Sequence, residues 1–192
     1  MNRWWMPAWL LAAFTLVACA EPPNKEMDQA QGAIDAARAA GADRYAASEY
    51  AAATTALNQA HDAVAGRDYR LALNHALESR ERAQNAAREA ADTKAALRGD
   101  VERSMAEIAP LLAQANRRIQ AMQKNRVQTP PVRESADALA KANVDVQKAR
   151  EALKKDDILS AKQALEGTKA RITKALAAID AATKAQTRRR RP

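Results

Sequence analysis

Few side chains in this chain of 192 residues can do chemistry, and the most nucleophilic of them, Cys19, is its only thiol. A lone cysteine forms no disulfide within the chain, which suits an oxidising compartment where a spare thiol would be a liability. His61 and His75 lie on either side of Gly66 and could approach each other across a helical hairpin. A metal site would need further ligands in proper geometry, so solvent-facing helix positions are expected for both. Asp156 and Asp157 are adjacent on a turn and do not face each other, so capping and solvation account for them. Tyr45, Tyr50 and Tyr69 offer either a binding patch or filling for the widest part of a core, where alanine would leave voids. Core is the expectation. The five glycines at 32, 41, 66, 99 and 167 never cluster into a phosphate-cradling loop, and no Gly-x-Ser-x-Gly occurs. No catalytic residue, metal site or bound cofactor is expected. The remaining chemistry belongs to Arg188, Arg189, Arg190 and Arg191. Adjacent guanidinium groups pair bidentately with phosphates or carboxylates; the alternative is a solvated tail without a role.

The residues ahead of Cys19 give it a purpose. Arg3 leads an apolar segment from about Trp4 to Ala18 that ends in small residues, the pattern of a secretory signal peptide. The segment is shorter than the ~20 residues that span a bilayer. Leu16-Val17-Ala18-Cys19 resembles the lipobox of bacterial lipoproteins. The resemblance implies cleavage before Cys19, a diacylglyceryl group on its sulfur and acylation of the new amine. The lipid is then a covalent anchor to the membrane. With Ala20 rather than Asp after the cysteine, the resemblance places the protein on the periplasmic face of the bacterial outer membrane. A plain signal peptide with an incidental Cys, and a transmembrane helix, are the alternatives.

Composition bounds the fold. Alanine supplies 50 of the 192 residues. It is the best helix former and buries little area, at ~25 cal/mol per Å², so thin, long helical hairpins are expected rather than a thick core. All three Trp and the only Phe lie before Cys19. The formal net charge is +8. Residues 19–128 hold 15 Lys/Arg and 15 Asp/Glu, whereas residues 129–192 hold 15 and 8. A basic balance often signals nucleic acid, but an exported lipoprotein does not meet it. Peptidoglycan and anionic lipid are the available polyanions.

The elements follow from spacing. Pro22-Pro23 makes 19–24 a short tether, with Asn24 placed to cap a helix from Lys25. Met27, Ala30, Ile34, Ala37 and Gly41 mark one helical face, and Gly41 suits a left-handed cap. A second helix is expected over Arg44–Ala65, with Tyr50, Ala53, Leu57, Ala60 and Val64 inward. Gly66-Arg67-Asp68 is a turn in which Gly66 ends one helix and Asp68 caps the next. From Tyr69 to Met122 apolar residues recur every three or four positions, interrupted by Arg80 and Lys94, and keep phase through Gly99 and Pro110. That heptad pattern predicts one long helix over about 67–126, kinked near Pro110, with a break there or at Gly99 as the alternative.

Gln128-Thr129-Pro130-Pro131-Val132 reads as a linker, followed by helices over about Arg133–Lys155 and Asp157–Thr187. The organisation is therefore a signal at 1–18, a lipidated tether at 19–24, a helical domain with the long helix at 25–127, a proline linker at 128–132, a helical hairpin at 133–187 and a basic tail at 188–192. The fold class is all-α, built of elongated alanine-rich hairpins of tetratricopeptide-like or coiled-coil-like kind. A shift of 89 residues aligns the second and third helices with the last two: Ala53 falls on Ala142, Leu57 on Val146, Ala60 on Ala149 and Asp68 on Asp157.

Residues 30–90 resemble the DUF4398 family of bacterial envelope lipoproteins. The stretch Ala36-Ala37-Arg38-Ala39-Ala40-Gly41-Ala42-Asp43-Arg44-Tyr45-Ala46 carries the likeness, with Glu49-Tyr50, Ala53, Leu57, Ala60, Asp68-Tyr69 and Ala72 behind it. The family pattern usually has Pro where Ala47 stands and an aliphatic residue where Tyr50 stands. The resemblance implies a helical, envelope-anchored protein of unknown biochemical activity. Many members carry a C-terminal OmpA-like peptidoglycan-binding domain; no such α/β module follows residue 128 here. The expected function is a non-catalytic scaffold or spacer in the cell envelope, whose basic C-terminal end contacts peptidoglycan or an anionic surface. The alternatives are a tetratricopeptide-like adaptor for a specific envelope protein, marked by an exposed apolar groove, and an enzyme accessory or weak ligand-binding module.

Overall fold

The computed structural model describes residues 21–127 and 129–190. The described residues form seven helices and no strand: α1 (Asn24–Ala39), α2 (Ala42–Tyr45), α3 (Ala47–Ala65), α4 (Tyr69–Lys124), α5 (Pro130–Lys154), α6 (Ile158–Leu165) and α7 (Thr168–Arg190). The all-α expectation holds, and α4 runs unbroken for 56 residues, about 84 Å at 1.5 Å per residue. Nine of its buried positions belong to the heptad stripe, Ala76, Ala83, Ala90, Val101, Ile108, Leu112, Ala115, Ile119 and Met122, while Ala72, Ser79 and Ala86 are buried beside it. Pro110 stays inside the helix, at an exposed position.

Side-chain pairs set the directions. Arg80 Nη1 donates to Gln29 Oε1 over 2.7 Å, which lays α1 parallel to α4. Ser79 Oγ donates to the Ala53 carbonyl over 2.8 Å, placing α3 antiparallel. Further along, Lys169 Nζ reaches Glu107 Oε2 at 2.5 Å, Arg118 pairs with Asp180, and Thr183 Oγ1 lies 3.7 Å from Met122 Sδ. A constant offset of about 62 residues thus runs α6 and α7 parallel to α4, while α5 returns antiparallel between them. The molecule is a rod with three helices in most cross-sections: α1, α3 and α4 first, then α4, α5 and α6–α7.

Two cores share α4. The proximal one is mostly alanine (Ala30, Ala37, Ala53, Ala60, Ala76, Ala83, Ala86 and Ala90) with Met27, Ile34, Leu57 and Tyr45 added. Small side chains let α3 approach α4 closely enough for the Ser79–Ala53 bond. The distal core is larger-grained: Val101, Ile108, Leu112, Ile119, Leu139, Val146, Ile158, Ile172 and Ile179. Leu97 packs against both.

Several boundaries differ from the sequence reading. Asn24 is already helical, after Pro23. The expected 44–65 helix is broken at Ala46: Arg44 and Tyr45 belong to the short helix α2, which follows Gly41 at φ 85°, and α3 starts at Ala47. At the α3–α4 turn the left-handed residue is Arg67 (φ 59°) rather than Gly66, which is right-handed at φ −78°. Pro130 and Pro131 are not a linker: they open α5, where the missing N–H costs nothing. The last helix is broken at Glu166–Gly167, with Gly167 at φ 71°. The basic tail is also partly structured, since α7 continues to Arg190.

The 89-residue shift holds at the turns. Asp68 N donates to Ala63 O and Asp157 N to Ala152 O, both at 2.9 Å. Arg67 and Asp156 are both left-handed, at φ 59° and 58°. Asp68 caps Leu71 N and Asp157 caps Ser160 N. These are equivalent residues throughout.

Candidate functional site

The described chain starts at Glu21, at the α3–α4 end of the rod, because α1 enters beside Arg80 and runs parallel to α4. Cys19 and the lipobox residues Leu16, Val17 and Ala18 lie outside the described residues. No helix of the described residues is long and apolar enough to cross a membrane.

The opposite end gathers three termini: the last turn of α4, the first of α5 and the last of α7. Arg188 is exposed there; Arg189 and Arg190 lie in the same helix, and Arg191 is outside the described residues. The fold adds cations that the sequence reading had not grouped with this run. Arg117, Lys124, Arg126, Arg133 and Lys184 are all exposed at this end, and neither they nor Arg188 form an ion pair among the described residues. Residues 117–137 and 180–192 together hold ten Lys/Arg and three Asp/Glu. Division at the structural boundary near Leu97 also sharpens the charge asymmetry. Residues 21–96 carry 9 Lys/Arg against 12 Asp/Glu, and residues 97–192 carry 21 against 11. The fold shows why the sequence reading missed it: 19–128 sums to zero because the acidic segment of α1–α3, residues 21–68 with 4 Lys/Arg and 8 Asp/Glu, offsets the basic residues that α4 carries into the distal lobe.

Beside these cations lies a cleft of about 610 Å³ between the α4–α5 connection and α7. Val127, Thr129 and Pro131 form one wall, and Ala178, Ala181, Ala182, Ala185 and Gln186 the other. Nothing in the spacing flagged it, because its walls are small residues outside the buried stripe.

At mid-rod the α5–α6 turn docks on the proximal lobe. Arg44 Nη2 donates to Asp157 Oδ1 at 2.8 Å, Arg98 Nη2 to Asp156 Oδ1 at 2.6 Å, and Lys94 pairs with Asp156 Oδ2. The Ser160 hydroxyl, then Arg44, hold the Asp157 carboxyl down at about 2. Lys94 and Arg98 lower Asp156, and Asp157 raises the Arg44 guanidinium. Asp157 does cap α6, as expected, yet both carboxylates also bind across the two lobes. Tyr45 lies beneath them, buried, with Arg44 and Lys94 5.7 and 6.0 Å from its ring centre. Its hydroxyl is buried without a hydrogen-bond partner.

Of the other residues that could do chemistry, Tyr50 is partly buried and its hydroxyl accepts from Arg38 Nε at 2.7 Å. Tyr69 opens α4. His61 is exposed, while His75 Nδ1 lies 3.7 Å from Glu78 Oε2. No bond between the two histidines joins them, and no group of three His, Cys, Asp or Glu among the described residues could hold a metal ion.

The helical lobe that precedes the distal core is the part with known relatives. Residues 25–103 match the family described as Domain of unknown function (DUF4398). The match extends the resemblance seen around Gly41 and Tyr45 and covers α1 from Lys25, α2, α3 and the first 35 of the 56 residues of α4. No curated protein and no solved structure shows a significant match.

Proposed function

We propose that this protein is a non-catalytic lipoprotein of the bacterial outer membrane, anchored through Cys19, that works as a rigid spacer on the periplasmic side. One observation carries the reading: the start of the described chain and the cationic end stand at opposite ends of an unbroken helix. Between the level of α1's first turn and Arg126 lie about 50 residues of α4, about 75 Å at 1.5 Å per residue. A lipid on Cys19 would hold one end at the membrane, and the other would present Arg126, Arg133, Lys184 and Arg188–Arg191 to an anionic surface such as peptidoglycan. The alanine-rich proximal lobe, thin and without a thick core, agrees with a structural role.

The anchor and the reach are tested separately. Cys19→Ser should release the protein from membranes or leave it uncleaved; a mature wild-type mass without added lipid would refute the anchor. The lipid-free chain should sediment with purified peptidoglycan at low ionic strength and lose it as salt rises, since such attraction is screened over ~8 Å at physiological salt. Deletion of residues 188–192 should weaken that sedimentation. Equal sedimentation of the truncated chain across a salt titration would refute the cationic contact.

A second reading, the adaptor for an envelope protein, is favoured by the apolar cleft beside the same cations. An anionic polymer needs charge alone and makes no use of an apolar cleft.

A further inference from the structure

The distal cleft has the chemistry of a helix-binding site. Its lining is mostly apolar on both sides, from Val127 and Pro131 to Ala178, Ala181 and Ala185, with Thr129 and Gln186 as the polar members. Ala181 and Ala185 are exposed on α7, so no neighbouring element among the described residues covers them. At 100° per residue, Lys174 and Arg188 fall on the same strip of α7 as these alanines, one beyond each end. Both are exposed, and neither forms an ion pair among the described residues. Arg126 and Arg133 flank the other wall, likewise exposed and unpaired. Elsewhere along the rod some arginines, Arg44 and Arg98 among them, have carboxylate partners within the chain.

We infer that this cleft receives an acidic amphipathic helix of an envelope protein, its narrow apolar face against Ala181 and Ala185 and its carboxylates on Lys174, Arg188, Arg126 and Arg133. Charge complementarity selects this occupant. A second copy docked through the same end would bring its own cations, and a basic or neutral helix would leave the four cations unpaired. The alanine wall admits a close backbone approach, as small residues do between packed helices, so the apolar face that fits is one of Leu and Ala rather than of aromatics. Apolar anchors in a groove with charged flanks follow the usual mode of helix recognition, and the unpaired cations speed and orient the encounter. The inference deepens the adaptor reading and does not depend on the lipid at Cys19.

The test uses the chain from position 19 onward with Cys19→Ser, which retains every described residue. The probe is a labelled 18-residue peptide with Leu and Ala on one helical face and Glu on the others, compared with a scrambled peptide of the same composition. Fluorescence anisotropy at physiological salt should show the patterned peptide binding at least tenfold more tightly than the scrambled one. The double change Ala181→Gln and Ala185→Gln fills the cleft without altering charge or helix propensity greatly. It should weaken the patterned peptide at least tenfold and leave low-salt sedimentation with peptidoglycan unchanged. Circular dichroism of the variant checks that the rod is intact. Equal binding of the two peptides, or native-like binding by the intact double variant, would overturn the inference and leave the cationic end as a plain electrostatic surface. Loss of peptidoglycan sedimentation in the native chain would instead strike the spacer reading and leave the cleft standing.

Discussion

Replacement of Gly99 by alanine asks whether α4 is one helix through the middle of the rod. Gly99 sits in the interior of α4, and a Cβ built on it meets nothing within 4 Å. The substitution therefore has no steric cost, and its effect is the intrinsic preference of a helix interior for alanine over glycine, ~0.8–1.0 kcal/mol. For a chain of this size 1 kcal/mol raises Tm by ~2–4 °C, so Gly99→Ala should raise it by that amount. Gly32→Ala in α1, equally open, is the matched control and should do the same. Gly41→Ala should move the other way: φ is 85° and the new Cβ would lie 3.2 Å from Tyr45 Cδ2, a left-handed position that costs a side chain roughly 1–2 kcal/mol. Pro110→Ala should also stabilise, by about 1–3 kcal/mol, because it restores the helical donor to the Ala106 carbonyl. Thermal unfolding followed by circular dichroism reads all four. A lower Tm for Gly99→Ala would mean that residue 99 is not helical, that α4 is two helices, and that the 75 Å reach assigned to it is wrong.

Other outcomes follow from the same geometry. The Asp157 carboxyl is held at about 2 by the Ser160 hydroxyl and Arg44, and Asp156, Glu107 and Glu151 are lowered by their basic partners. These folded values lie below the unfolded ones, near 4. The stability they contribute is therefore present above about pH 4 and lost as pH falls through the folded values toward about 2. Tm should be flat from pH 7 to about 5 and fall below 4; a fall centred near pH 6 would refute this. Ile172 is fully buried in the distal core, so Ile172→Ala should cost about 2–5 kcal/mol in urea unfolding. Arg67→Gly relieves a left-handed arginine at φ 59° and should stabilise by up to about 1 kcal/mol; a loss of stability would mean that Arg67 makes a contact that outweighs the strain.

How much of this could be read from the chain depends on where the information is local. The inward stripe of α4 was legible because helical spacing survives any number of solvent-facing residues, and Pro110 occupies one of those outward positions, so it leaves the apolar stripe in phase although it removes a helical donor and crowds the Ala106 carbonyl. The break at Gly167 was hidden for the opposite reason. Leu165 and Ile172 are seven residues apart, a heptad step that keeps phase whether or not the backbone between them is helical. Pro130 and Pro131 were ambiguous in principle, since the fixed φ that suits a linker also suits a first helical turn. The distal site was the least legible. The run Arg188–Arg191 was visible as a run, but Arg126 and Arg133 join its described residues only because α5 reverses the chain and α6–α7 reverse it again. Long-range pairing of that kind leaves no mark in the sequence around each residue. The 89-residue repeat was the one long-range signal available, and the matching turns at Asp68 and Asp157 give it a structural counterpart without deciding its ancestry.

A spacer is as stiff as its weakest cross-section, and that section is at mid-rod. The α1–α3 corner and the α5–α6 turn lie side by side there, so of the three helices that make up each lobe only α4 crosses from one to the other. Two braces support it. Leu97 packs against both cores and Leu159 of α6 against the proximal one, while Asp156 and Asp157 bind Arg44, Lys94 and Arg98. The ion pairs are exposed and screened by salt, so each alone is weak, but they span three elements and oppose bending toward the side away from the turn. Asp156→Asn with Asp157→Asn removes both charges and keeps a good helix cap at 157. The double variant should stay as helical as the native chain, while the distance distribution between spin labels at Asp28 and Lys184, both exposed, broadens toward shorter values. Raising salt in the native protein should move the distribution the same way by a smaller amount, because Leu97 and Leu159 are untouched. If the labels report one narrow distance in the double variant and at every salt, α4 and its apolar braces set the length alone, and the carboxylates at the turn serve only to cap α6.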